Sequence, residues 1–156
     1  MPAYDLNTIG QYTKSRLGIR VDNSVSGITI AADPIFDIVG GPVKANLIFG
    51  IVTTVIAGAG GTILMNMDGT LADDFVLSIA SADFDTDDVG TVYILPATAA
   101  GAITTDGGGG INLCPEWILP VGSLCVTGGA AATGVIKWSM FYVPLVEGAY
   151  VIASAA

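Results

Sequence analysis

From residue 25 onward, short apolar runs alternate with small, polar or glycine-rich breaks. Residues 25–31 and 35–39 read as strands flanking Asp33-Pro34, a turn signal. Gly40-Gly41-Pro42 opens a long apolar run over 43–57, and a second follows over 62–67, closed by Asp68-Gly69. Over 74–82, Phe75, Leu77 and Ile79 alternate with Val76, Ser78 and Ala80, the period of a half-buried strand. Further strands are predicted over 89–95, over 118–127 with a break at Pro120, over 135–143 and over 148–154. Residues 97–110, ending in four glycines, read as a loop that is costly to order. Eight to ten strands at regular spacing, with no helical period in the body, predict an all-β chain: one β-sandwich or jelly-roll-like domain over 25–156. Residues 1–24 are polar, mildly basic and carry Gly10 and Gly18, so they read as an extended N-terminal arm, with a short helix near 5–12 as its one candidate element.

The long apolar run raises a membrane question. From Ala45 to Met67 there are 23 consecutive uncharged residues, enough for a transmembrane helix by length. Its interior favours strands. Ile51 to Ile56 is a β-branched block, Gly58-Ala59-Gly60-Gly61 reads as a turn, and a second apolar run follows, so two strands joined as a hairpin are expected. The first residues lack the basic region and apolar run of a signal peptide.

The chain has 156 residues, enough for a single domain burying about two-thirds of its unfolded surface. Hydrophobic residues make up 52% and charged ones 12%, which excludes disorder of the body and leaves apolar surface to bury against other subunits. The net charge of −9 is unevenly placed. Lys14, Arg16 and Arg20 leave the first twenty residues at +2, while Lys44 and Lys137 face thirteen acids in the remainder. An acidic body is repelled by phosphate, so nucleic acid is not an expected partner, and a basic arm suits an acidic neighbour.

Histidine is absent, which removes His-based triads, His-containing zinc sites and imidazole catalysis. Cys114 and Cys125 form no C-x-x-C pair; two buried thiols or a disulfide both fit their spacing. Asn66-Met67-Asp68-Gly69-Thr70-Leu71 is similar to the D-x-D-G-T-L motif of haloacid-dehalogenase-type phosphatases. Asn66 stands where the nucleophilic aspartate belongs, and a strand ending in an Asp-Gly turn explains the motif without chemistry. Asp83, Asp85, Asp87 and Asp88 form an acidic loop with the opening spacing of an EF-hand. Asp88 and Ile94 replace its glycine and distal glutamate, which leaves a solvated loop, a looser calcium site or a contact for a basic partner. Neighbouring acids in one loop do not make the separated pair a glycosidase needs, and neither glycine cluster leads into a phosphate-binding helix. No catalytic residue, cofactor or required metal is expected. On the strand over 135–143, period two sets Trp138, Met140 and Tyr142 on one face and Lys137, Ser139 and Phe141 on the other. Core packing is the first reading of these aromatics, a ligand platform or subunit contact the second.

Residues 134–151 carry Lys137-Trp138, then Tyr142-Val143-Pro144-Leu145, then Glu147-Gly148-Ala149-Tyr150. This run is similar to the C-terminal ending of head decoration, or cement, proteins of tailed bacteriophages, and residues 47–56 and 87–95 resemble the same proteins, so the similarity covers roughly the last two-thirds of the chain. The resemblance implies a virion protein: a β-sandwich, often a homotrimer, made in the host cytoplasm and bound to the major capsid protein on the outer head surface at capsomer junctions. It implies no enzyme activity and no membrane partner. Interaction residues expected on this reading are Leu6, Ile9 and Tyr12 as arm anchors, Lys14, Arg16 and Arg20 as its charges, and Lys137, Trp138 and Tyr142 as a subunit contact. Other readings are a tail or fibre module, a carbohydrate-binding sandwich with exposed aromatics, or a small membrane protein if residues 45–67 were helical.

Overall fold

The computed structural model describes residues 17–58, 61–70, 74–78, 81, 86–95, 103–106 and 116–155, with backbone alone for 104–106. Eleven strands lie within them: β1 (Ile19–Ile28), β2 (Asp33–Val39), β3 (Val43–Gly58), β4 (Ile63–Gly69), β5 (Phe75–Val76), β6 (Val92–Ile94), β7 (Thr104–Asp106), β8 (Trp117–Leu119), β9 (Gly122–Gly128), β10 (Ala132–Pro144) and β11 (Tyr150–Ala153). They form two antiparallel sheets, an all-β sandwich. The first sheet runs β1-β10-β3-β6-β7, with β8 also on β3; the second runs β11-β2-β9-β4-β5.

β3 is the spine of the first sheet. One edge pairs with β10 along its whole length, and the other is shared between β8 at Val43–Ala45 and β6 at Phe49–Ile51. Ile48, Val52 and Ile56 project into the core, while the intervening Leu47, Phe49 and Ile51 are half-buried on the outer face. A strand apolar on both faces reads as a continuous hydrophobic run, which is why this segment has the composition of a membrane span. Among the described residues no helix is long and apolar enough to cross a membrane.

The expected hairpin does not form. Both edges of β3 are occupied, so β4 crosses to the other sheet and pairs with β9 and β5. Asp68-Gly69, expected as a turn, ends β4 and pairs with Ser123 and Gly122. Asp33-Pro34, also expected as a turn, begins β2 opposite Val126 and Cys125. The strand expected over 74–82 shortens to Phe75–Val76. Beyond it, Leu77 and Ser78 bend so that both amides reach the Met65 carbonyl and the Ser78 hydroxyl accepts the Met65 amide. Residues 19–24, expected in the arm, are the first half of β1, paired with β10 from Ile19↔Tyr142 to Ser24↔Lys137. Their alternating exposure, Val21 and Asn23 turned inward, is what an edge strand over a core requires.

Between the sheets lie Trp138, Met140, Tyr142, Ile136 and Tyr93 from the first and Phe36, Ile38, Met65, Met67, Leu124 and Val126 from the second. Gly50 sits directly opposite Trp138 on one side and Tyr93 on the other. The two rings close over it with centroids 6.3 Å apart. Aromatic neighbours covering a strand glycine restore the packing that its missing side chain forfeits. At the sheet edge, Asn23 Nδ2 donates to the carbonyls of Ile35 at 2.7 Å and Ser154 at 3.2 Å, tying β1 to the opposing sheet.

Candidate interaction surface

Outside the core, the charged side chains of the described strands lie on the outer faces of the two sheets. The register of the first sheet stacks residues far apart in sequence into rows. Arg20, Phe141 and Leu47 form one; Asp22, Ser139, Phe49 and Ile94 the next; Ser24, Lys137, Ile51 and Val92 the third. The β1–β10 half of this face is therefore polar and the β3–β6 half apolar.

The polar half is organised around Asp22. Its Oδ1 accepts from Arg20 Nε at 2.8 Å and from the Ser139 hydroxyl at 2.6 Å, while Lys137 Nζ lies 3.5 Å from Oδ2. Arg20 also donates through Nη2 to Ser139 Oγ at 3.3 Å, and its guanidinium lies 5.7 Å from the centre of the Phe141 ring. Burial pushes the Asp22 carboxyl upward, but hydrogen bonds from Ser139 and Arg20 and the charges of Arg20 and Lys137 outweigh it and hold the pKa below the usual value. The cluster is half-exposed, so its stabilising contribution is small, within about 1 kcal/mol per pair. The Arg20 guanidinium so held lies over the ring of Phe141, a residue 8% exposed.

The outer face of the second sheet is acidic. Asp37 accepts from Ser123 at 2.7 Å, Asp33 from Thr29 at 2.8 Å, and Asp74 from the Gly69 amide at 3.2 Å. All three ion pairs among the described residues lie on the other sheet's side. Cys125 lies among these acids as a free, buried thiol. Burial, with Asp68, Asp37, Asp33 and Asp74 nearby, pushes its pKa up to about 11. Cys114 lies outside the described residues, so the alternatives for the pair reduce to what Cys125 shows.

The expected interaction residues separate sharply. Arg20 and Lys137 come together on Asp22. Trp138 and Tyr142 face the core, 1% and 4% exposed, which is the core-packing reading of that strand and removes them from the surface the folded chain offers. Leu6, Ile9, Tyr12, Lys14 and Arg16, and the short helix expected near 5–12, lie outside the described residues. Asp22 and Ser139 were not marked by sequence; each is an ordinary polar residue until register sets them opposite each other across a β1–β10 pair.

The two motifs similar to catalytic or metal-binding ones are described only in part. Asn66 points outward on β4 and its Oδ1 accepts from Thr127 at 3.2 Å. Asp87 accepts a hydrogen bond from the buried Tyr93 hydroxyl, and its own carbonyl accepts the Ile56 amide at 3.1 Å. Burial and then the Asp87 carboxylate push the Tyr93 pKa upward. Asp83 and Asp85 lie outside the described residues, and among the described residues no group of carboxylates and thiols gathers as a metal site. No family model, curated protein or solved structure matches the chain.

Proposed function

We propose that this chain is a structural virion protein that decorates the outer surface of a tailed-phage head and cements capsomer junctions, most simply as a homotrimer. The observation that carries the reading is the resemblance of residues 134–151 to the ending of such proteins. That run comprises most of β10, the connection over 145–149 and the start of β11, and so links the two sheets. The polarised surface supports it. One outer face is acidic, and the other joins an apolar band to an Arg20–Asp22–Lys137 cluster, as suits a module that meets unlike surfaces on its two sides. Cementing needs no chemistry. A protein that binds the assembled shell more tightly than free coat subunits shifts the equilibrium toward the intact shell. Its partners on this reading are the major capsid protein and further copies of itself.

The test is quantitative protein analysis of purified, DNA-filled particles. A fixed stoichiometry to the major coat protein, with capsids that rupture at lower temperature when the protein is missing, is the expected result. Recovery only with tails, or only in the unassembled fraction, overturns it.

A further inference from the structure

Among the described strands, those at the sheet edges are β1, β7 and β8 in the first sheet and β5 and β11 in the second. An edge strand presents a row of unpaired N–H and C=O groups, and folded chains blunt such edges with charge, proline, bulges or brevity. β1 carries Arg20 and Asp22, and its register shifts between Ser26 and Ile28, where Gly27 takes a φ of +72°. β5 has two residues, and β7 and β8 have three each. β11 is different. Tyr150–Ala153 holds no charge, no proline and no register shift, and the Ser154 amide continues its ladder by donating to the Ile35 carbonyl at 3.2 Å. No charged residue occurs from Gly148 to Ala156.

That last bond fixes which groups of β11 are left over. Bonded residues alternate along an antiparallel pair. With Ser154 bonded to Ile35, the residues bonded to β2 are Ser154, Ile152 and Tyr150, and the N–H and C=O groups of Val151 and Ala153 point away from β2, along the open edge. The side chains alternate the other way. Val151 enters the core at 6% exposed, whereas Tyr150 and Ile152, each 46% exposed, stand on the outer face.

We propose that β11 pairs antiparallel with β11 of a second copy about a twofold axis through Val151, joining the two second sheets into one. In this register each Val151 gives its N–H to the Val151 carbonyl of the other copy, and each Ala153 N–H faces the other copy's Ala149 carbonyl. Tyr150 of each copy then lies directly opposite Ile152 of the other, so the two exposed apolar side chains of the strand cover each other twice, as an aromatic and a β-branched residue. This self-matching is what selects a second copy as the occupant: an isologous contact needs one patch that complements itself. Charge agrees with it. The acid nearest the edge is Asp37, opposite Ile152 on β2. Its counterpart would lie at least three strand spacings away, about 14 Å, beyond the screening length of about 8 Å at physiological salt. The contact does not depend on the virion reading and is separate from any threefold contact.

The test is sedimentation equilibrium of the full-length chain at physiological salt, beside Ala153→Pro. Proline at an exposed edge position whose N–H points outward leaves the β2 ladder intact while removing a donor and filling the edge. The expected result is an even-numbered assembly whose mass Ala153→Pro halves, with an unchanged far-UV circular dichroism spectrum: dimer to monomer, or hexamer to trimer if a threefold contact also forms. Register is read by oxidising an equal mixture of Tyr150→Cys and Ile152→Cys chains, one ¹⁵N-labelled. A disulfide between positions 150 and 152 of unlike labels is expected, in severalfold excess over links formed within either variant alone. A monomeric or trimeric parent, the same mass for parent and Ala153→Pro, or equal linking in the mixture and the single variants would overturn the proposal.

Discussion

Replacing Gly50 by alanine should destabilise the fold although it adds only one methyl group to a strand. An added Cβ would stand 2.8 Å from Ile136 Cγ2 and 2.9 Å from two ring carbons, Cε3 and Cζ3, of Trp138. Comfortable carbon contacts lie near 3.5–4.0 Å, so the neighbours must yield by the best part of an ångström. They are poorly placed to do so. Trp138 is fully buried and leans on Tyr93, and Ile136 is 1% exposed. Overpacking of this kind costs about 1–3 kcal/mol. The lower entropy of an unfolded chain carrying alanine returns about 0.4–1 kcal/mol. The net expectation is a loss of about 1–2 kcal/mol, a fall in melting temperature of roughly 2–8 °C for a chain of this size. Urea unfolding followed by far-UV circular dichroism gives the loss directly, as a lower midpoint at unchanged m-value. The cause is tested by repeating the substitution with Trp138→Phe, which removes the ring carbons nearest the new methyl group. There the added cost of Gly50→Ala should shrink by about 1 kcal/mol, a coupling within the range for touching residues. A Gly50→Ala midpoint equal to or above that of the parent, or the same cost in both backgrounds, would refute the claim that the Tyr93–Trp138 pair requires a bare backbone between them.

Three further expectations follow from particular contacts. Asn23→Leu should cost about 1–3 kcal/mol in urea unfolding, because it strips a side-chain donor from the carbonyls of Ile35 and Ser154 where the two sheets meet. Tyr93 has a pKa raised above its unfolded value near 10, so its contribution is fully present below pH 10 and is lost as pH climbs beyond that; Tyr93→Phe should flatten the alkaline fall in melting temperature, and an unchanged slope would dismiss the Asp87 contact as its source. Cys125, with its pKa near 11, should leave only about one thiolate in a thousand at pH 8 and resist iodoacetamide until the chain is unfolded; mass-spectrometric mapping of rapid native alkylation at Cys125 would contradict its burial.

Much of this sandwich is written in local pattern. The apolar periods and glycine breaks place strands over 43–57, 118–127 and 135–143 to within a few residues of β3, of β8 with β9, and of β10. Period two also sorts Trp138 and Tyr142 from Lys137, because successive side chains of a strand must point to opposite faces. What local pattern lacks is the identity of a strand's neighbour. Adjacent apolar runs over 43–57 and 62–67 look like a hairpin, yet β10, β6 and β8 already fill both edges of β3 and send β4 to the other sheet. Residues 19–24 look like an arm because their polar members are visible in the sequence and the β10 edge that pairs with them, more than a hundred residues away, is not. The candidate surface is a product of the same long-range pairing. Ser139 and Lys137 meet Asp22, and Phe49 lies between Ser139 and Ile94, only because three antiparallel registers align these positions in rows. Composition and alternation decided that this chain makes a β-sandwich; the choice of strand partners, which hydrogen bonding and core packing settle together, decided which residues its two outer faces carry and that the faces are unlike.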